Sequence, residues 1–151
     1  MNLFIDTLRV YSPVFGDKGN IPMKYTCEGE NINPPLAINE LPPETKSLAI
    51  IVEDPDATNG TFDHWVIWDI EPQTNISENF MGGVQGKNGK QKTGYTGPCP
   101  PSGIHRYYFK VYALDTKLEL PNAENKKALI DAMRGHIIAG GEIMGKYSKS
   151  K

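Results

Sequence analysis

The sequence predicts a mainly β chain folded as a sandwich, with one or two short helices. Two observations carry this. Short apolar runs alternate with clusters of Gly, Pro and Asn, the pattern of many short strands joined by turns. The 15 Gly and 12 Pro are spread through the first two thirds of the chain rather than gathered in a linker. With no internal repeat and no shift in composition, residues 1–151 read as one domain, long enough to bury a core.

Four runs predict strands: Ser47 to Glu53, His64 to Ile70, Arg106 to Leu114, and Ile137 to Met144. In the third, Tyr107, Phe109, Val111 and Ala113 share one face, with Arg106, Tyr108, Lys110 and Tyr112 opposite. That is the period-two signature of a strand with one face in the core. The second carries Trp65, Val66, Ile67 and Trp68, apolar on both faces, which predicts a central strand covered on both sides. A helix is predicted between a Pro121-Asn122 start and a Gly135 stop, with Leu129 and Met133 four apart on its apolar stripe.

Composition excludes several classes. Sixteen basic against eighteen acidic side chains give a net charge of −2, without the basic patch that nucleic acid requires. Lys87, Lys90 and Lys92 read as solvated loop charges. The longest apolar run, Leu48 to Val52, is too short to cross a bilayer. Asp6 and Arg9 interrupt the first ten residues, so no apolar leader is expected and a cytoplasmic location follows by default. Cys27 and Cys99 form no CxxC pair. Two reduced thiols are the plainer reading, and a single bridge tying their loops is the other.

Two segments hold the chemistry. Asp54-Pro55-Asp56-Ala57 follows an apolar strand and leads through an Asn59-Gly60 turn to Asp63-His64-Trp65. Two carboxylates and an imidazole thereby fall at the ends of adjacent strands, where a hairpin brings them to one rim. Gly94-Tyr95-Thr96-Gly97-Pro98-Cys99-Pro100-Pro101-Ser102-Gly103-Ile104-His105 is a loop stiffened by prolines and punctuated by glycines that allow positive φ or close approach by a ligand. It delivers His105 to the start of a core strand. Such a loop beside a histidine builds a small preformed cup.

These segments resemble the phosphatidylethanolamine-binding protein family, and within it the bacterial and archaeal Raf-kinase-inhibitor-like branch. Cys27-Glu28-Gly29-Glu30-Asn31-Ile32-Asn33-Pro34-Pro35-Leu36 and Gly141-Glu142-Ile143-Met144-Gly145-Lys146-Tyr147 are similar to that family too. The resemblance implies a Greek-key β-sandwich with a small anion pocket lined by Asp54, Asp56, His64, Gly97, Pro98, Pro101, His105 and Tyr107. It also implies a cis peptide at Asp54-Pro55, a kinase or protease as partner, and a homodimer. A counterpart of the C-terminal helix that covers the pocket in eukaryotic members is not expected, since few residues follow Tyr147.

The expected ligand is a small anion, phosphate or a phosphorylated head group, with no cofactor and no catalysis. For two acids to serve an anion site, Asp54 or Asp56 must orient a histidine and raise its pKa, leaving His64 and His105 to offer N–H groups. Backbone N–H groups of the Gly97 loop would add donors. Affinity is then expected to fall as pH rises. Two alternatives use the same residues. A hydrolase-like reading takes Asp54, His64 and His105 as acid and base beside Ser102 or Tyr107. A metal reading takes Asp54, Asp56, His64 and His105 as donors for zinc or manganese.

Overall fold

The structure, a computed structural model, describes residues 6–150. Half of the opening stretch in which no apolar leader is expected, residues 1–5, lies outside the described residues.

Two sheets make the sandwich. The larger one runs β1 (Asp6–Thr7), β10 (Ile137–Tyr147), β9 (His105–Leu114), β5 (Ser47–Asp54), β6 (Phe62–Ile70), β8 (Val84–Gln85), with β3 (Gly19–Asn20) also paired to β10. The smaller sheet is β2 (Arg9–Tyr11), β4 (Leu36–Asn39) and β7 (Asn75–Ile76). In the large sheet β9 returns beside β5 after β5, β6 and β8 have paired in turn, all antiparallel. That spatial order, 9-5-6-8, is a Greek key. The four strands predicted from sequence are the four long ones, each one to three residues longer than read. The two- and three-residue strands carry too little periodicity to be read.

Both faces of the large sheet are covered, as the apolar runs demand. Leu48, Ile50, Val52, Trp65, Ile67, Phe109 and Val111 pack toward the small sheet in the main core. Ala49, Ile51, Val66, Trp68 and Leu114 pack on the other side against Leu129 and Met133 of the helix. Burying each large side chain contributes roughly 1.5–3 kcal/mol, which is why a strand apolar on both faces settles in the middle. Trp65 and Trp68 are therefore core residues. Their indole N–H groups are satisfied by the Gln85 side chain and the Leu120 carbonyl, each at 3.0 Å.

The helix, α1 (Lys126–Met133), starts three residues later than the sequence suggested. Its N-cap is Asn125, whose side chain accepts from the Ala128 amide at 3.0 Å. The preceding residues cannot be helical, because Ala123 sits at φ 65 and its amide donates to the Gln85 carbonyl. A 3₁₀ turn, Met23–Tyr25, is the second short helix. Among the described residues no helix is long and apolar enough to cross a membrane.

Candidate functional site

The site lies where the main core runs out at one end of β5, β6 and β9. Asp54 ends β5 and His105 begins β9, and the pairing of Glu53 with Tyr108 sets Asp54 beside Tyr107. Opposite, β5 and β6 slip register: Val52 pairs with Trp65, but Glu53 pairs with Asp63. His64 is the extra residue of that β-bulge. A bulge re-aims the side chain it carries, and here it turns the imidazole toward the strand ends.

The cavity so formed measures about 220 Å³ and is lined by Asp54, Ala57, Thr58, Phe62, His64, Lys90, Thr96, Gly97, Cys99, Pro100, Pro101, His105 and Tyr107. It is smaller than the roughly 300–1,000 Å³ of most small-molecule sites. Its aromatic wall is continuous: Phe62 and His64 meet at 4.8 Å between ring centroids, and His64 and Tyr107 at 5.2 Å, both edge to face.

Each titratable group has a fixed role. Asp54, buried, accepts a 2.6 Å hydrogen bond from His105 Nδ1–H through Oδ2. Its other oxygen accepts from the Asp56 amide at 2.7 Å, so neither carboxylate oxygen is left without a donor. His64 donates from Nδ1 to the Thr96 carbonyl at 2.6 Å. Burial pushes the His64 pKa below its ordinary value, against the pull of Thr96 and the charges of Asp54 and Asp63. The histidine that a carboxylate orients is His105, on Asp54; at His64 desolvation of a ring that is 5% exposed outweighs carboxylates that do not touch it. Burial pushes the Tyr107 phenol up, keeping it protonated. Its hydroxyl makes no well-formed hydrogen bond among the described residues, the nearby Cys99 amide included.

Of the eight residues expected at the pocket, Asp54, His64, Gly97, Pro101, His105 and Tyr107 line the cavity. Asp56 and Pro98 do not. Asp56 points outward and is clamped by Arg106, accepting from its amide and Nε at 2.9 Å and from its Nη2 at 2.7 Å. The guanidinium holds the Asp56 carboxyl down at about 2. Pro98 is buried beneath the loop, its carbonyl accepting from the Cys27 amide at 3.1 Å. Gly97 lines the cavity and is also needed for packing. A Cβ there would come within 2.5 Å of Asn31 Oδ1 and of the Tyr25 carbonyl.

Two further expectations are corrected. There is no cis peptide bond among the described residues, so Asp54-Pro55 is trans. The Asp56 amide closing on Asp54 and the Arg106 clamp complete the turn without the less favoured isomer. Cys27 and Cys99 are bridged, with their Cα atoms 5.5 Å apart, so the plainer reading of two thiols fails. A residue missed by the sequence reading is Lys90, taken as a solvated charge but found at the cavity wall. Phe62 could have been inferred, since it stands two residues before His64 on one strand. Thr96 gave no signal. For the metal alternative, no three His, Cys, Asp or Glu side chains among the described residues converge as ligands.

The family profile for phosphatidylethanolamine-binding protein matches residues 11–148. The chain belongs to this family. A phosphatidylethanolamine-binding protein (PEBP) homologue from Chlamydia trachomatis superposes with a TM-score of 0.92 at 41% identity, covering 96% of this chain and 99% of that one. Escherichia coli YbcL, described as a new member of the mammalian PEBP family, gives 0.86 at 30% identity over 95% of this chain and 99% of its own. Among sequences, a UPF0098 protein of Methanothermobacter thermautotrophicus is 47% identical over 89% of this chain and 95% of the relative. One from Archaeoglobus fulgidus is 50% identical over 91% of this chain, which spans only half of that longer relative. The mainly β, two-sheet architecture is the PEBP fold.

Proposed function

We propose that this PEBP-family chain binds a small anion, phosphate or a phosphorylated head group, in the cavity between Asp54, His64, His105 and Tyr107. The observation that carries the reading is the donor set without a free carboxylate. Asp54 is spent on His105 and the Asp56 amide, and Asp56 on Arg106. What lines the space is Tyr107, whose hydroxyl is buried and unpartnered among the described residues, with Lys90 and two imidazoles. The volume suits a head group and not an acyl chain.

The same set supports binding rather than turnover. Asp54 and His105 resemble the base half of a nucleophilic arrangement, but no hydroxyl or thiol is hydrogen-bonded to His105 among the described residues. Ser102 is exposed and Cys99 is bridged. Modulation of a kinase or protease, carried by the family likeness, would use the rim, where Ile104 stands 66% exposed beside Ser102. A cytoplasmic location belongs to this reading, although bridged cysteines there are the habit of hyperthermophiles rather than of most cells.

Titration of isotope-labelled protein with phosphoethanolamine at mildly acidic pH tests the proposal. Saturable NMR shifts at His64, His105, Tyr107 and the 94–103 loop are expected. Their absence in folded protein would overturn it.

A further inference from the structure

Independently of the anion reading, we infer that a second cavity, sharing the loop that walls the first, binds an uncharged proline-bearing peptide segment. Its free side-chain amides are held as donors, and a proline chain offers carbonyls without N–H groups of its own.

Thr96 and Gly97 line the candidate anion site, while Gly94 and Tyr95 line a neighbouring space of about 250 Å³. Ile32, Phe80 and Tyr95, each partly buried, give that space apolar sides. Trp65, buried in the main core, closes it and stands edge-on to Tyr95 at 5.8 Å. Met81 is 85% exposed there, an adaptable apolar side chain that nothing among the described residues covers. No charged side chain among the described residues lines the space.

The direction of each amide follows from its partner. The Gln85 oxygen accepts from the Trp65 indole at 3.0 Å, and the Asn31 oxygen accepts from the Gly97 amide at 2.7 Å. Both partners can only donate, so each side chain must give them its oxygen and turn its NH₂ elsewhere. Neither NH₂ has a hydrogen-bond partner among the described residues. Asn33 is occupied at both ends, its oxygen by the Phe80 amide and its NH₂ by the Pro34 and Ser77 carbonyls. The Tyr95 hydroxyl donates to the Tyr25 carbonyl. Asn79, exposed, can turn either way.

The cavity therefore presents two fixed N–H donors, fixed oxygens that already hold a donor, and no charge. A charged ligand would lose its water shell with no counter-charge to replace it. A sugar would have to set its O–H groups on oxygens already in use. A proline chain fits on each count, with apolar rings for the aromatic sides, carbonyl oxygens for the two NH₂ groups, and no N–H left unpaired. Its extended helix is stiff before it docks, so little chain entropy is lost, which is how aromatic grooves hold such segments.

NMR titration of the intact, isotope-labelled chain with an acetylated and amidated tetraproline tests this. The side-chain NH₂ signals of Asn31 and Gln85 and the Trp65 indole N–H signal shift together and saturably. Gln85→Glu and Asn31→Asp each keep the oxygen that Trp65 or Gly97 needs but lose the donor. Each weakens the peptide at least about tenfold, with the melting temperature nearly unchanged. Tetraalanine, methyl glucoside and phosphoethanolamine leave the Asn31 and Gln85 NH₂ signals in place. Silence of those signals with tetraproline overturns the inference, whatever phosphoethanolamine does at the other cavity. Undiminished binding by both variants, or a stronger response to methyl glucoside, overturns it as well.

Discussion

The cavity has two walls built by opposite means. The turn from Asp54 to Thr58 is held by charge: Asp54 to His105 inside, Asp56 to Arg106 outside. The loop from Gly94 to Pro101 is held without charge, by a disulfide to Cys27, by Gly97 pressed on the 25–31 segment, and by the Tyr95 hydroxyl donating to the Tyr25 carbonyl at 2.8 Å. The charged wall responds to pH and salt, and the uncharged wall does not. A ligand site assembled this way keeps one side as a fixed template while the other can be tuned by protonation.

Changes to the uncharged wall act on stability. The largest effect expected is from Cys27→Ser with Cys99→Ser, which opens a link spanning 72 residues. Chain-entropy reasoning puts the loss near 4 kcal/mol, to be read by chemical denaturation. An unchanged midpoint would mean that the bridge contributes nothing. Gly97→Ala comes next, at about 3 kcal/mol, since the new methyl meets backbone that has no room to retreat.

Changes to the charged wall act on the ligand and on pH. Asp54→Asn keeps the volume but removes the charge-assisted bond to His105, and phosphate affinity falls by about tenfold in titration calorimetry. Asp56→Asn has the smallest effect and shows mainly in acid. A carboxyl held down to about 2 supplies stability that is fully present above its ordinary value of 3.8. That stability drains away as pH falls toward 2, so the variant's pH–stability curve is flatter over this window. High salt shrinks the difference, because the pair lies near the surface.

The long strands were legible because their side chains alternate or fill both faces, and the packing obeys that pattern. Asp54, His64, His105 and Tyr107 were legible from motif. Asp56 was not separable from Asp54, since both flank Pro55 and only the strand direction decides which one turns inward. The bulge at His64 was invisible too: register is a property of two strands, and no spacing within β6 announces the slip. Lys90 and Thr96 reach the cavity through the path of their loops, which local composition does not encode. The bridge required knowing that two distant loops lie side by side.

The two tryptophans occupy opposite faces of the same sheet. Trp65 belongs to the core shared with the small sheet and stands edge-on to Tyr95 at 5.8 Å, while Trp68 belongs to the layer under α1. The protein thus carries two built-in fluorophores, one for each layer. With either tryptophan replaced by phenylalanine, the emission of the other reports whether its own layer has loosened. Matching melting curves would show the layers dissolving together. An earlier transition for Trp68 would show the helix peeling off while the cavity end stays whole.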